Sequence, residues 1–253
     1  MNPNEKTSLK VLGVIPARFE STRLSRKMLR DLEGKTLIQR TYERTLGTTS
    51  LDALVIATDS DEIEEHVQGL GAKVIRSQKE HESGTDRAAE AAALFTDFTP
   101  DIVAVIWGDE PMYPASVIDS CVAMLKEREE FTVTTAAFKI SDPDMIGSEH
   151  VGTVVTDLND KILYISRSLI PHNFKHKDVT YYHSTGVMVM RYDFLKQYGS
   201  LPQTPLEQIE GVEQLRIIEN GYAIGAIRTD ARNIGVNTPE DFERVRAFYA
   251  SQK

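Results

Sequence analysis

Residues 11–29 read Val11-Leu12-Gly13-Val14-Ile15-Pro16-Ala17-Arg18-Phe19-Glu20-Ser21-Thr22-Arg23-Leu24-Ser25-Arg26-Lys27-Met28-Leu29. The opening apolar run, 11–15, is short and rich in β-branched residues, the pattern of a strand buried on both faces. A loop leaving the carboxyl end of such a strand is where open α/β sheets bind ligands. Arg18, Arg23, Arg26, Lys27 and Arg30 gather here, in a chain whose formal net charge is -9. Positive charge concentrated against an acidic background points to a compact polyanion, for which a triphosphate is the natural candidate. A solvated basic loop is the plainer alternative, and the loop alone does not separate the two.

Working outward, apolar runs at 54–57, 73–75 and 102–106 repeat the strand pattern. Helical spacing lies between them. Leu37 and Ile38 lead towards Tyr42, and Ile63, Val67 and Leu70 share one helix face. Residues 88–94 and 117–125 behave alike. This alternation predicts an α/β fold, with a mostly parallel twisted sheet flanked by helices. The second half changes character. Runs at 151–155, 162–165 and 186–190 read as strands with little helix between them. A smaller β-rich insertion, roughly 140–200, is therefore expected inside a single domain spanning 1–253. Residues 212–219 read as a helix stopped by Asn220-Gly221, and 223–227 as a late strand. Thr238-Pro239-Glu240-Asp241 then opens a last helix, with a cap, proline at the first position and acids in the first turn.

At 253 residues, with 41% hydrophobic and 26% charged residues, the chain has the make-up of an ordinary globular protein. No apolar run reaches membrane-spanning length, and the start, Met1-Asn2-Pro3-Asn4-Glu5-Lys6, lacks the apolar centre of a secretory signal. The single cysteine, Cys121, excludes an internal disulfide framework and a cysteine-rich zinc site. A cytoplasmic protein is the expectation. The acidic balance argues against nucleic-acid or membrane partners.

Three segments carry chemistry. Trp107-Gly108-Asp109-Glu110-Pro111 follows the run at 102–106. Glycine permits a sharp turn, and the acids emerge at the strand's carboxyl end, where oxygen ligands suit magnesium with substrate phosphates. Ser83-Gly84-Thr85-Asp86-Arg87 stands before a helical pattern. Its hydroxyls and amide groups suit a nucleotide, although, taken alone, a plain helix cap is the better explanation. Gly235-Val236-Asn237-Thr238-Pro239 is accounted for by capping except at Asn237, since Thr238 already takes the cap. A dinucleotide fingerprint, a Walker loop and a Gly-x-Ser-x-Gly elbow do not occur.

Taken in order along nearly the whole chain, these segments resemble the bacterial CMP-Kdo synthetases, the 3-deoxy-manno-octulosonate cytidylyltransferases. The resemblance runs from Ile15-Pro16-Ala17-Arg18 through Tyr42-Glu43-Arg44, Ala57-Thr58-Asp59, Ser83–Arg87 and Gly108–Pro111. It continues through Ser166-Arg167, Ile170-Pro171 and Glu213-Gln214-Leu215-Arg216 to Asn237–Asp241. It implies a Rossmann-like nucleotidyltransferase fold with a dimerising β insertion, CTP and magnesium as partners, a small acidic acceptor, and a homodimer.

Carried over residue by residue, the resemblance makes Arg18, Lys27 and Asp109 catalytic. It assigns CTP to Ala17, Arg18, Arg23, Lys27, Ser83, Gly84 and Thr85. It assigns the acceptor to Trp107, Arg167, His183, Glu213 and Gln214, and the metal to Asp109 and Asn237. The chain departs from the family at four places. The Leu-Pro-Gly-Lys-Pro-Leu loop is Leu24-Ser25-Arg26-Lys27-Met28-Leu29, Trp107 replaces glutamine, Asn237 replaces aspartate, and Ser184 stands where histidine is usual. The expected reaction is CMP transfer from CTP to Kdo or a modified Kdo-like acid. CMP transfer to a phosphonate or sugar phosphate, and a catalytically weak nucleotide-binding protein, are the alternatives.

Overall fold

The computed structural model describes residues 8–18, 24–81, 83–175 and 178–252. Its first strand, β1 (Val11–Ala17), is buried at every position. Both sheet faces are covered: Val11, Ile15 and Ala17 enter one apolar cluster, and Leu12 and Val14 enter another. The chain continues through α1 (Leu37–Thr45), β2 (Ala53–Thr58), α2 (Asp61–Gln68), β3 (Lys73–Arg76), α3 (Gly84–Leu94), β4 (Ile102–Ile106), α4 (Ala115–Glu127) and β5 (Val133–Lys139). A hairpin of β6 (Thr153–Thr156) and β7 (Ile162–Ser166) follows. Then come β8 (Tyr182–Arg191), α5 (Tyr192–Tyr198), α6 (Pro205–Glu210), α7 (Gln214–Glu219), β9 (Ile224–Thr229) and α8 (Pro239–Ala250).

Helix starts follow from side-chain caps. The hydroxyls of Thr36, Ser60, Ser83 and Thr238 accept from the backbone N–H groups of Gln39, Ile63, Asp86 and Asp241. Asp241 returns the contact at α8 as a capping box. α8 packs through Phe242, Val245 and Tyr249 onto Leu24, Leu32, Leu37 and Met112. That places the segment before α8 against the loop after β1.

The sheet order is β3-β2-β1-β4-β8-β5-β9. Neighbours are parallel except at β8, which runs antiparallel to both β4 and β5. Of the β-rich stretch expected over 140–200, β6 and β7 hang off the main path, joined to it where Thr153 faces His183. β8 lies inside the sheet itself, and it begins earlier, at Tyr182, than its apolar run suggests because Tyr182, His183 and Ser184 pair with Lys139, Phe138 and Ala137 of β5. β1 has β2 on one side and β4 on the other, so the chain order reverses between β1 and β4. A crevice opens beyond their carboxyl ends at such a point. Among the described residues, no helix is long and apolar enough to cross a membrane.

Candidate active site

Three segments meet beyond β4. The Lys27 ammonium donates to Asp109 Oδ2 at 2.5 Å and to the Val236 carbonyl at 2.9 Å. Val236 N–H in turn donates to the Asp109 carbonyl at 2.9 Å. Thr41 of α1 donates to the Gly108 carbonyl at 2.8 Å. The turn carrying Asp109 is thus pinned from α1, from the loop after β1 and from the segment before α8. Asn237 follows Val236 directly and lines the same cleft as Asp109. Arg26 occupies the left-handed region at φ 53, so the chain keeps a tight turn before Lys27 without the usual Pro-Gly.

Asp109 and Asn237 offer one carboxylate and one amide oxygen. Among the described residues no group of three or more His, Cys, Asp or Glu side chains is placed to hold a metal. One carboxylate and one amide oxygen are hard donors, too few on their own to complete the shell of a magnesium-like ion.

Around the nucleotide-side positions, Ala17 ends β1 and Arg18 beyond it is exposed. Arg23 lies outside the described residues. Ser83 spends its hydroxyl as the α3 cap, donating also to Asp86 Oδ2 at 2.8 Å. Gly84 opens α3 close to Pro16, and a Cβ there would lie 3.4 Å from the proline ring. Thr85 departs from the expected arrangement. Its side chain is 0% exposed and turned inward, donating to Glu213 Oε2 at 2.8 Å. Arg87, also buried, bonds Asp59 at 2.6 Å and Ser77 at 2.9 Å, fixing α3 to the end of β2.

The acceptor-side positions Trp107, Arg167, Glu213 and Gln214 share a cleft with Asp109 and Asn237. Trp107 N–H donates to the Gly186 carbonyl at 3.1 Å, and its indole nitrogen lies close to Gly84. Trp107 thus stands between the start of α3 and the cleft. Arg167 spends three donors on backbone carbonyls, those of Glu210, Glu149 and Gly211, at 2.8, 3.1 and 3.2 Å. It braces the walls of the cleft as well as lining it. His183 does not join them. Its ring lies in a separate cavity with Lys139, Asp142, Arg232 and Asn233, beside Phe138. Alternate residues of a strand face opposite ways, and Ser184, the next residue, lines the cleft instead. Burial lowers the His183 pKa to about 4, which keeps the ring neutral near pH 7. Ser184, noted above as standing where histidine is usual, also lines the cleft, together with His150 and Met188, which the sequence did not single out.

Glu110 was also missed as an organiser of the site. Its buried carboxylate accepts from the Asn233 amide and lies against Gly186 and Gly235. A Cβ at Gly186 would come within 2.6 Å of Glu110 Cδ, and one at Gly235 within 3.2 Å of Oε1. One side chain therefore locks β8 and the segment before α8 to the turn bearing Asp109. A sequence signal for it existed, since Glu110 adjoins Asp109, but its glycine neighbours are remote in the chain.

A cytidylyltransferase family model matches residues 12–228. The chain belongs to the cytidylyltransferase family. The 3-deoxy-manno-octulosonate cytidylyltransferase of Fusobacterium nucleatum is 38% identical over 237 residues, spanning 94% of this chain and 96% of that protein. The enzyme of the same description from Solibacter usitatus is 41% identical over 244 residues, spanning 96% of each. The fold superposes on a solved CMP:2-keto-3-deoxy-manno-octonic acid synthetase complexed with CTP. There the TM-score is 0.89 at 34% identity, covering 96% of this chain and 100% of that one. A cytidylyltransferase from Leptospira borgpetersenii, 17% identical with a TM-score of 0.65, shares the fold. This cytidylyltransferase is thus an enzyme of nucleotidyl transfer, and it sits with the 3-deoxy-manno-octulosonate group.

Proposed function

We propose that this chain moves the CMP group of CTP onto the anomeric hydroxyl of a 2-keto-3-deoxy sugar acid, 3-deoxy-manno-octulosonate or a close relative, releasing pyrophosphate. The observation that carries this reading is the meeting of Lys27, Asp109 and Asn237 where the basic loop adjoins the cleft. The triphosphate lies towards Ala17, Arg18, Lys27 and the start of α3, where Ser83 and Gly84 present a helix N-terminus; the resemblance adds Arg23 to this group. The sugar acid lies in the cleft with Trp107, Arg167, Glu213 and Gln214. Its hydroxyl oxygen attacks the α-phosphorus. The new P–O bond forms as the bond to the pyrophosphate oxygen breaks, and the hydroxyl proton passes to water.

The side chains position the groups and neutralise charge, with no covalent intermediate. Lys27 exchanges Asp109 for phosphate oxygens when CTP arrives. Asp109 and Asn237 would hold magnesium, which when bound neutralises charge on the phosphates.

We further read the protein as a cytoplasmic homodimer. Ile146, Leu163 and Phe174 are 44%, 56% and 81% exposed, which supplies apolar surface on the 140–200 stretch for a second copy. The test of the activity is pyrophosphate release from CTP and magnesium with a panel of acceptors. The panel comprises 3-deoxy-manno-octulosonate, an amino-substituted relative, a phosphonate and a sugar phosphate. Release with the sugar acids supports the reading. Release with the phosphonate or sugar phosphate alone overturns the acceptor, and no release with any overturns the activity.

A further inference from the structure

We propose that Thr85 is a positioning residue, whose hydroxyl fixes the Glu213 carboxylate in the cleft and so ties the acceptor wall to the helix start that faces the nucleotide. This rests on the acceptor reading of the cleft given above. Thr85 is the second residue of α3 and is wholly buried, so its side chain does not touch a ligand. Thr45 of α1 spends its hydroxyl on its own helix, at the Thr41 carbonyl. Thr85 instead spends its hydroxyl on a carboxylate remote in sequence. Glu213 stands just before α7, partly buried, lining the cleft beside Gln214. A carboxylate has more acceptor sites than one donor can fill. With Oε2 held by Thr85, Oε1 is left for a hydroxyl of the acceptor.

The charges around Glu213 explain why a donor matters there. Asp86 on α3 and Glu207 on α6 oppose its negative charge, and Arg216 on α7 favours it. Tyr198 on α5 also faces the group. Arg216 is committed to Glu207 through two contacts at 2.8 and 2.6 Å. Burial is the largest influence and raises the Glu213 pKa above its ordinary 4.5, while the Thr85 hydrogen bond pulls it back. Thr85 thus fixes where the carboxylate points and partly offsets the effect of burial on its charge.

The test compares Thr85→Val, which removes the donor at nearly constant shape, with Thr85→Ser, which keeps it. CTP affinity is read by calorimetry without acceptor. Acceptor kcat/KM is read from pyrophosphate release across pH. The Glu213 carboxyl is followed by carbon NMR, assigned with Glu213→Gln. In Thr85→Val the acceptor kcat/KM should fall about tenfold or more, while CTP affinity changes less than about threefold. The Glu213 titration and the acid limb of the kcat/KM profile should both move to higher pH. Thr85→Ser should restore all of these. Should Thr85→Val fail to fold, Thr85→Ala removes the same donor and is read in the same way. An unmoved Glu213 titration, or a loss confined to CTP affinity, overturns the inference. Failure of the unaltered protein to use any sugar acid overturns the acceptor reading instead, because the NMR titration needs no acceptor.

Discussion

Replacing Gly186 by alanine isolates the contact that holds the site together. Gly186 sits at φ +83, and an added Cβ would lie 2.6 Å from Glu110 Cδ and 2.8 Å from Tyr113 Cδ2. Neither neighbour has room to withdraw. Glu110 is bonded to Asn233 and backed by Gly235. Tyr113 is 3% exposed and meets Phe138 edge-on at 5.2 Å. The left-handed backbone costs an alanine about 1–2 kcal/mol, and forced overpacking adds about 1–3 kcal/mol. The expected loss is their sum, about 2–5 kcal/mol, which lowers Tm by about 4–20 °C for a chain of this size. Differential scanning calorimetry reads it directly. The double variant Gly186→Ala with Glu110→Ala completes the cycle. With the carboxylate gone, adding the methyl should cost at least about 1 kcal/mol less than it does beside Glu110. A Tm within about 1 °C of the parent for Gly186→Ala, or strict additivity in the double variant, would refute the wedge.

Further outcomes follow from the same geometry. Lys27→Ala should weaken CTP binding about 10–100-fold by calorimetry, through loss of a charge-assisted contact; undiminished affinity would remove Lys27 from the phosphate grip. Asn237→Asp should lower the magnesium concentration needed for half-maximal activity, whereas an unchanged requirement would place residue 237 away from the ion. Trp107→Gln should raise kcat/KM for 3-deoxy-manno-octulosonate while CTP affinity shifts less than about threefold, and equal effects on both would mean that the indole only fills space. For His183, the folded pKa of about 4 lies below the ordinary 6.5, so on acidification the unfolded chain takes up the proton first. Its contribution is complete above pH 6.5 and is lost towards pH 4, by about 3 kcal/mol. His183→Gln should flatten stability over that interval in urea titrations, and an unaltered pH slope would count against the burial argument.

Local signals made much of this legible in the sequence. The uninterrupted apolar run of β1, the hydroxyl caps before α3 and α8, and the glycine turn after β4 each announce themselves within a few residues. The strand ends of an α/β sheet converge on one edge, which brings Lys27 and Asp109 together; Asn237 joined them only through the family resemblance. What escaped was non-local. The facing of His183 and Ser184 depends on the irregular register between β5 and β8, and one residue's offset exchanges faces. Arg167 looked like a ligand for an acid, yet its donors go to carbonyls on two other segments. Thr85 looked like a nucleotide contact, but Glu213, far along the chain and just before α7, supplies its partner. The place of β8 inside the sheet was equally hidden, since an apolar strand carries no mark of its neighbours' direction.

The position of β8 also bears on how the nascent polypeptide reaches its fold. During synthesis, β3, β2, β1 and β4 can assemble first, since all four lie within residues 11–106 and pair in parallel. β4 then presents a bare edge, and β5 has no strand on either side, until the ribosome has delivered residues 182–191 and later 224–229. An unpaired edge rich in valine and isoleucine is a template for association with other chains. Emergence of β8 covers the β4 edge and one side of β5 in one step, and β9 later covers the other side of β5. Truncated chains ending before Tyr182 should therefore aggregate, and pausing of translation upstream of that codon should lower the yield of folded enzyme.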